Sequence, residues 1–160
     1  MERNFDKRLD PNLLVEGARS VIVCAISYKR PTSTGILSRF ASYAWGRDYH
    51  SILKEKLYAL WSYIQELLPE AKGRVFVDTA PILEKSWAAE AGIGRIGRHS
   101  LLIVPGVGSF VVLGVIVTTA ELEPDPPLAN ADPCGNCQAC INACPVSGPQ
   151  NDPGRLAGRI

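Results

Sequence analysis

Residues 20–28, SVIVCAISY, form an unbroken apolar run bounded by polar residues, the pattern of a buried strand. From Asp48 the period becomes helical. Leu53, Leu57, Leu60, Ile64 and Leu67 recur three or four residues apart until Pro69, and Trp61 and Leu68 widen the apolar face. That spacing predicts one amphipathic helix packed on a sheet. Residues 74–78, RVFVD, predict a second short strand, and Thr79-Ala-Pro81 a helix start, with proline tolerated in the first turn; this helix is expected to reach Gly92. Two stretches rich in Val, Ile and Leu, 100–104 and 109–119, flank a Pro-Gly-Val-Gly turn and predict an antiparallel hairpin. Strand, helix, strand, helix and hairpin make an α/β layout, a mixed sheet with flanking helices. EPDPP at 123–127 reads as a linker, dividing residues 1–123 from residues 124–160.

Composition narrows this picture. The chain has 160 residues, 46% of them hydrophobic, and a formal net charge of +1, the profile of a globular domain with a real core. Its longest apolar stretch, near 101–119, is broken by Pro105, Gly106, Gly108 and Gly114, and the N-terminus is charged, so no membrane association is expected. Near-neutral charge offers no broad field for nucleic acid, although Arg39, Arg47, Arg95, Arg98 and His99 could contact phosphates locally. Five cysteines, four of them clustered, point to metal ligation in a reducing, cytoplasmic compartment rather than to disulfides.

The cluster is CGNCQACINACP, residues 134–145. Its spacing, C-x2-C-x2-C-x3-C-P, is the run that bacterial ferredoxins use for iron–sulfur clusters, in which the fourth cysteine reaches a second cluster. Zinc sites commonly use two separated pairs, so the compact run favours iron–sulfur over zinc. Cys134, Cys137, Cys140 and Cys144 are therefore candidate ligands. Cys24, inside the first apolar run, reads as a small buried hydrophobe.

Other motifs carry less. Gly92-Ile-Gly94-Arg-Ile-Gly97 matches G-x-G-x-x-G, but a helix precedes it and a strand follows, the reverse of the dinucleotide fingerprint. These glycines are expected to cap a helix and to allow a close approach of the backbone. Asp78 falls at a strand end, where α/β sheets place reacting groups, and equally where a helix N-cap would stand. Asp48 and His50 raise the same pair of readings before the long helix. The aromatics look scattered, suited to core or rim packing, with no ladder for single-stranded nucleic acid. Neither histidine shows an evident partner, so no nucleophile triad can be assembled.

Five stretches together resemble one family: LDPNLLVEGARSVIV at 9–23, SRFASYAWGRDYH at 38–50, VDTAPILE at 77–84, AGIGRIG at 91–97 and the cysteine run. They are similar to the epoxyqueuosine reductases, across residues 8–145. The resemblance implies a corrinoid-binding α/β domain followed by a ferredoxin-like module, cobalamin and two [4Fe–4S] clusters as cofactors, tRNA as substrate, an external electron donor and a monomer. It implies that cobalt attacks the epoxide of the modified base while a carboxylic acid protonates its oxygen. Asp78 matches that acid. Ala41, Ser42, Asp48, His50, Gly94, Gly97, Ser100 and Leu102 match segments that contact the corrin.

The chain departs from the family pattern in length. A second cysteine set is absent, which would leave Cys144 without its cluster, and residues 146–160 lose the pattern. The expectation is a fragment, truncated at both ends, with an incomplete ferredoxin-like module and weak or no activity alone. A small electron carrier with a docking α/β domain, or a zinc or metal-free interaction domain, would be the rival functions.

Overall fold

The computed structural model describes residues 5–31, 35–78, 80–129 and 132–145; Thr79 and the stretch 146–160 lie outside the described residues. A short helix α1 (Phe5–Leu9) and a 3-10 turn at Pro11–Leu13 precede strand β1 (Ser20–Ser27). Helix α2 (Tyr49–Leu67), strand β2 (Gly73–Phe76) and helix α3 (Glu84–Glu90) follow, then strands β3 (Arg95–Ile96), β4 (Leu102–Ile103) and β5 (Val111–Thr118), and a single turn of helix α4 (Ala139–Asn142). Among the described residues, no helix is long and apolar enough to cross a membrane.

The main sheet has the order β1-β5-β2, with both outer strands antiparallel to β5. β5 is therefore central, and side chains alternate across it. Val115 and Val117 join Val15, Phe76 and Ile82 in one core, against which Trp87 of α3 packs. Ile116 joins Leu53, Leu57, Trp61 and Val77 in a second core on the opposite face, under α2. The result is three layers: α2, the sheet, and α3 with the N-terminal segment.

Glycine lets α2 lie close. A Cβ at Gly114 would stand 2.5 Å from Leu57 Cδ1 and 3.1 Å from Leu53, and one at Gly73 would stand 2.6 Å from the Trp61 ring. Burial of Thr118 on β5 is satisfied by hydrogen bonds, its hydroxyl donating to the Lys72 carbonyl at 3.0 Å and accepting the Ala120 N–H at 3.1 Å.

The α/β class and the long helix match the sequence pattern, with Asp48 capping α2 and Leu53, Leu57 and Trp61 forming its buried stripe. Three expectations are corrected. β1 is half-buried, because it is an edge strand with one ladder rather than two. α3 starts at Glu84, since the chain turns at Asp78, whose φ is +55°, and residues 80–83 are irregular. The expected 100–119 hairpin is reduced to a single antiparallel bridge, Val104 with Gly108, across the Pro-Gly-Val-Gly turn. β5 pairs instead with β1 and β2, and β4 folds back onto β3 through a turn in which the Gly97 N–H donates to the Leu101 carbonyl.

The glycine segment caps α3 as its spacing predicts. Gly92 has φ +70°, its N–H donates to Ala89, and that of Ile93 donates to Ala88, the paired bonds of a left-handed helix cap. What approaches these glycines is the chain itself: Pro126 lies against Gly92, and Ile103 against Gly94 and Gly97.

Candidate functional site

Because β1 and β2 both run antiparallel to β5, their C-terminal ends lie at one edge of the sheet, where α/β folds place ligands. Asp78 leaves β2 there and the N-terminus of α2 meets it. Asp78 is not a helix cap: α3 begins six residues later, and Glu84 in its first turn accepts the Asp78 N–H at 2.7 Å. Positive φ is costly for most residues, and Asp is among the few that tolerate it. Glu84 holds the turn, and the carboxylate, 60% exposed, faces outward.

Two groups contact that carboxylate. His50 Nε2 lies 3.2 Å from Asp78 Oδ2, and the Tyr49 hydroxyl donates to the same oxygen at 3.3 Å. His50 Nδ1 lies 2.7 Å from Asp48 Oδ1, an oxygen that also accepts the His50 N–H at 3.0 Å. Asp48 thus caps α2 and orients the imidazole at once. Its hydrogen bond to the ring raises the His50 pKa above the ordinary value of 6.5, with Asp78 adding to the rise, and the same bond lowers that of Asp48. Burial, reinforced by the charge of Asp78, pushes the Tyr49 hydroxyl to about 12, so it stays a donor. Burial raises the Glu84 pKa. The expectation of a partnerless His50 is corrected, since only the folded chain brings residues 48 and 78 to one ring.

The second part of the site is the cysteine loop. All five cysteines are free thiols. Cys24 packs in the α2-side core and burial raises its pKa, in keeping with a small hydrophobe. Cys134, Cys140 and Cys144 are half-buried and Cys137 is exposed. Arg98 ties the loop down. Its backbone N–H donates to Cys134 Sγ at 3.3 Å, and its guanidinium donates to the carbonyls of Gly135 at 2.7 Å and Cys137 at 3.0 Å. Asp132 pairs with the same guanidinium at 3.2 Å and accepts the Cys134 N–H at 2.8 Å. Among the described residues, no three His, Cys, Asp or Glu side chains converge where a single metal ion would sit. A cubane asks something different, that each thiolate reach its own iron.

α3 links the two parts. Glu84 binds the Asp78 backbone, and the next residue, Lys85, donates to the Ser100 carbonyl at 2.7 Å, two residues from Arg98. Of the other singled-out positions, Ala41 is exposed and Ser42 half-buried, on a turn shortly before Asp48. Gly94, Gly97 and Leu102 are buried by their own hairpin, so in this segment half-buried Ser100, at φ +60°, and exposed Leu101 face outward. A cavity of about 790 Å³ lies elsewhere, between the β1 edge, Trp87 and the 121–125 segment, and does not include Asp78.

The sequence reading missed Tyr49, Glu84 and Asp132, and it offered Arg98 only as a phosphate contact, whereas the structure ties it to the cysteine loop. Tyr49 sits between two residues that the reading singled out. The reading of the aromatics as scattered is also corrected. Trp61 and Trp87 pack in or against the cores, but Phe110, Tyr28, Tyr43 and Tyr49 meet edge to face in one chain.

Residues 8–79 match the family model described as "Epoxyqueuosine reductase QueG, DUF1730". An epoxyqueuosine reductase from Cellulophaga algicola is 45% identical over 148 residues, which are 91% of this chain and 47% of the relative. An epoxyqueuosine reductase solved with an epoxyqueuosine-modified tRNA-Tyr stem loop superposes with a TM-score of 0.80 at 31% identity. The Bacillus subtilis enzyme, solved with an aspartate-bearing catalytic loop swung out of its active site, also gives 0.80, at 29% identity. Both alignments cover 91% of this chain and 40% of the neighbour. The chain thus spans about half the length of the curated relatives it matches. By sequence and by fold alike, it is a relative of the epoxyqueuosine reductases.

Proposed function

We propose that this chain carries the acid and electron-entry half of an epoxyqueuosine reductase, with residues 1–123 forming the corrinoid-binding domain and residues 124–160 part of a ferredoxin-type module. The substrate is an epoxide on a modified base of tRNA. Converting an epoxide to an alkene consumes two electrons and two protons and releases one water. The chain's own groups handle the protons. The single observation that carries the reading is the outward-facing Asp78 carboxylate, fixed at a strand end by Glu84 and contacted by His50 and Tyr49.

In this reading Asp78 protonates the epoxide oxygen as its ring opens, a role worth about 10²- to 10⁴-fold in rate. His50 then returns a proton to Asp78, its raised pKa and its contact with exposed Asp48 suiting it to draw that proton from solvent. When bound, a corrinoid supplies the nucleophile for ring opening, and [4Fe–4S] clusters supply the electrons from an external donor. The residues present fit both groups. Asp78 opens onto a surface rather than into a sealed pocket, as a wide, flat ligand requires, and Ala41, Ser42, Asp48, His50 and Ser100 would hold it there. Cys134, Cys137 and Cys140, with an N–H aimed at the Cys134 sulfur, would hold three corners of a cluster, and Cys144 would stand in for the fourth ligand.

Titrating the purified chain with cobalamin tests this directly. The expected result is a shift of the cobalt absorption and a rise in Tm, because a ligand that binds only the folded state stabilises it. Anaerobic reconstitution with iron and sulfide should add the broad absorption of a cubane. Asp78→Asn should keep both signals, and whatever turnover of an epoxyqueuosine-bearing stem loop the chain supports should fall by about 10²- to 10⁴-fold. Unchanged turnover in that variant, or a silent cobalamin titration, removes the reading.

A further inference from the structure

Among the described residues, two that are not glycine lie in the left-handed region, Asp78 at φ +55° and Ser100 at φ +60°. A residue with a Cβ keeps such a conformation only where its surroundings over-determine it, and such places cluster at functional sites. Asp78 is the acid of the reading above. Ser100 stands two residues beyond Arg98, in a tight turn where the Gly97 N–H donates to the Leu101 carbonyl at 2.9 Å and the Ser100 N–H to the Gly97 carbonyl at 2.8 Å.

Both strained residues are held from one place. Glu84 and Lys85, consecutive in the first turn of α3, reach one each: Glu84 Oε1 accepts the Asp78 N–H at 2.7 Å, and Lys85 Nζ donates to the Ser100 carbonyl at 2.7 Å. Each bond has one charged partner, which makes it stronger than a neutral one, and each ends on the backbone, so it holds the path of the chain. The helix that carries them is itself fixed, because Ala88 is fully buried and Trp87 packs against the core. Burial raises the Glu84 pKa, and the neighbouring Lys85 charge opposes that rise, favouring the ionised acceptor.

We propose that Glu84 and Lys85 are positioning residues that act as one clamp, presetting the Asp78 carboxylate against His50 and joining its placement to the 97–101 turn from which Arg98 holds the cysteine loop. This rests on the reading of Asp78 as the acid and adds what keeps that acid in register. His50 reports the outcome. Its pKa is raised chiefly by Asp48 and further by Asp78, with Tyr49 stacked on the ring and the Glu84 charge within reach of it. If the Asp78 turn slackens, the share owed to Asp78 is lost and the share owed to Asp48 remains.

The test follows the His50 ring signals by NMR across pH in the full chain, without cobalamin, iron or RNA. The chain has two histidines, and His50→Gln identifies the signal. Asp78→Asn sets the reference, the fall in the His50 midpoint once the Asp78 charge is gone. Glu84→Ala should lower the midpoint nearly as far, whereas Glu84→Gln, which keeps an oxygen for the Asp78 N–H, should stay near the parent. Combining Glu84→Ala with Asp78→Asn should lower it no further than Asp78→Asn alone, because both changes act on one contact. Lys85→Met, of similar length but with no N–H to give, should lower it by a smaller step. Adding Ser100→Gly to Lys85→Met should restore it, since glycine keeps a positive φ unaided. Should Glu84→Ala lose its cooperative melt, the Lys85 and Ser100 variants decide the question. An unmoved midpoint in Lys85→Met, or in a folded Glu84→Ala, overturns the proposal. So does a Glu84→Gln midpoint as low as that of Glu84→Ala, which would mean that the charge acts on the ring directly. A silent cobalamin titration of the parent with these shifts intact would instead count against the reductase reading and leave the clamp standing.

Discussion

The acid corner and the cysteine loop are held in place by different forces. Asp78 follows Val77, which is 1% exposed and packed beneath Leu53 and Leu57, and its neighbours His50 and Tyr49 stand on the first turn of a helix whose apolar stripe fills the same core. The corner is therefore as stable as the domain. The loop at 132–145 contributes no buried side chain, and its recorded anchors to the rest of the chain are polar, those of Arg98. Regions with few buried contacts open at low free energy. Proton-handling groups gain from a rigid frame, whereas a loop that must receive iron and sulfide gains from opening.

Three experiments would break or sharpen that contrast. The largest effect belongs to the shared core. Leu57→Ala removes a side chain that is 2% exposed and should cost about 2–5 kcal/mol, lowering Tm by about 4–20 °C. Cobalamin binding and cluster assembly should weaken together, and loss of one alone would show that the two regions do not share this foundation.

Arg98→Ala should act locally. Tm should shift by less than about 4 °C, while the 132–145 segment becomes readily cut by protease and the iron retained after reconstitution falls by at least about half. Arg98→Lys keeps the charge but cannot fork across two carbonyls and a carboxylate, so it should recover little. A fall in Tm as large as that of Leu57→Ala would mean that the loop belongs to the core.

The smallest effect is a pH dependence at the acid corner. The His50 pKa is raised in the folded state, chiefly by Asp48, so the stability it contributes is fully present below its ordinary value near 6.5 and is lost as pH rises through the elevated one. For Asp48, whose pKa is lowered chiefly by His50, stability is present above its ordinary value near 3.8 and lost as pH falls through the depressed one. Both side chains are solvent-accessible, so the change in Tm should be slight. The loss as pH rises should vanish in His50→Gln, while the backbone N–H that caps onto Asp48 keeps part of the loss at low pH; an equal slope above pH 6.5 in that variant would refute the pairing.

Much of this was readable in the chain. Helical period placed α2, Asp48 marked its cap, glycine spacing placed the end of α3, and cysteine spacing marked the metal-type loop, because each depends on residues a few positions apart. Sequence also singled out Asp48, His50 and Asp78 separately. It could not join them, since their meeting depends on β2 and α2 being packed on one sheet. For the same reason the expected 100–119 hairpin shrank to one bridge: an apolar strand does not encode which neighbour it will pair with, and β5 took β1 and β2. The gathering of Tyr28, Tyr43, Tyr49 and Phe110, and the reach of Arg98 to a loop more than thirty residues on, were likewise decided by tertiary structure. Local period and spacing fix what each segment is; long-range packing fixes which chemical groups face one another.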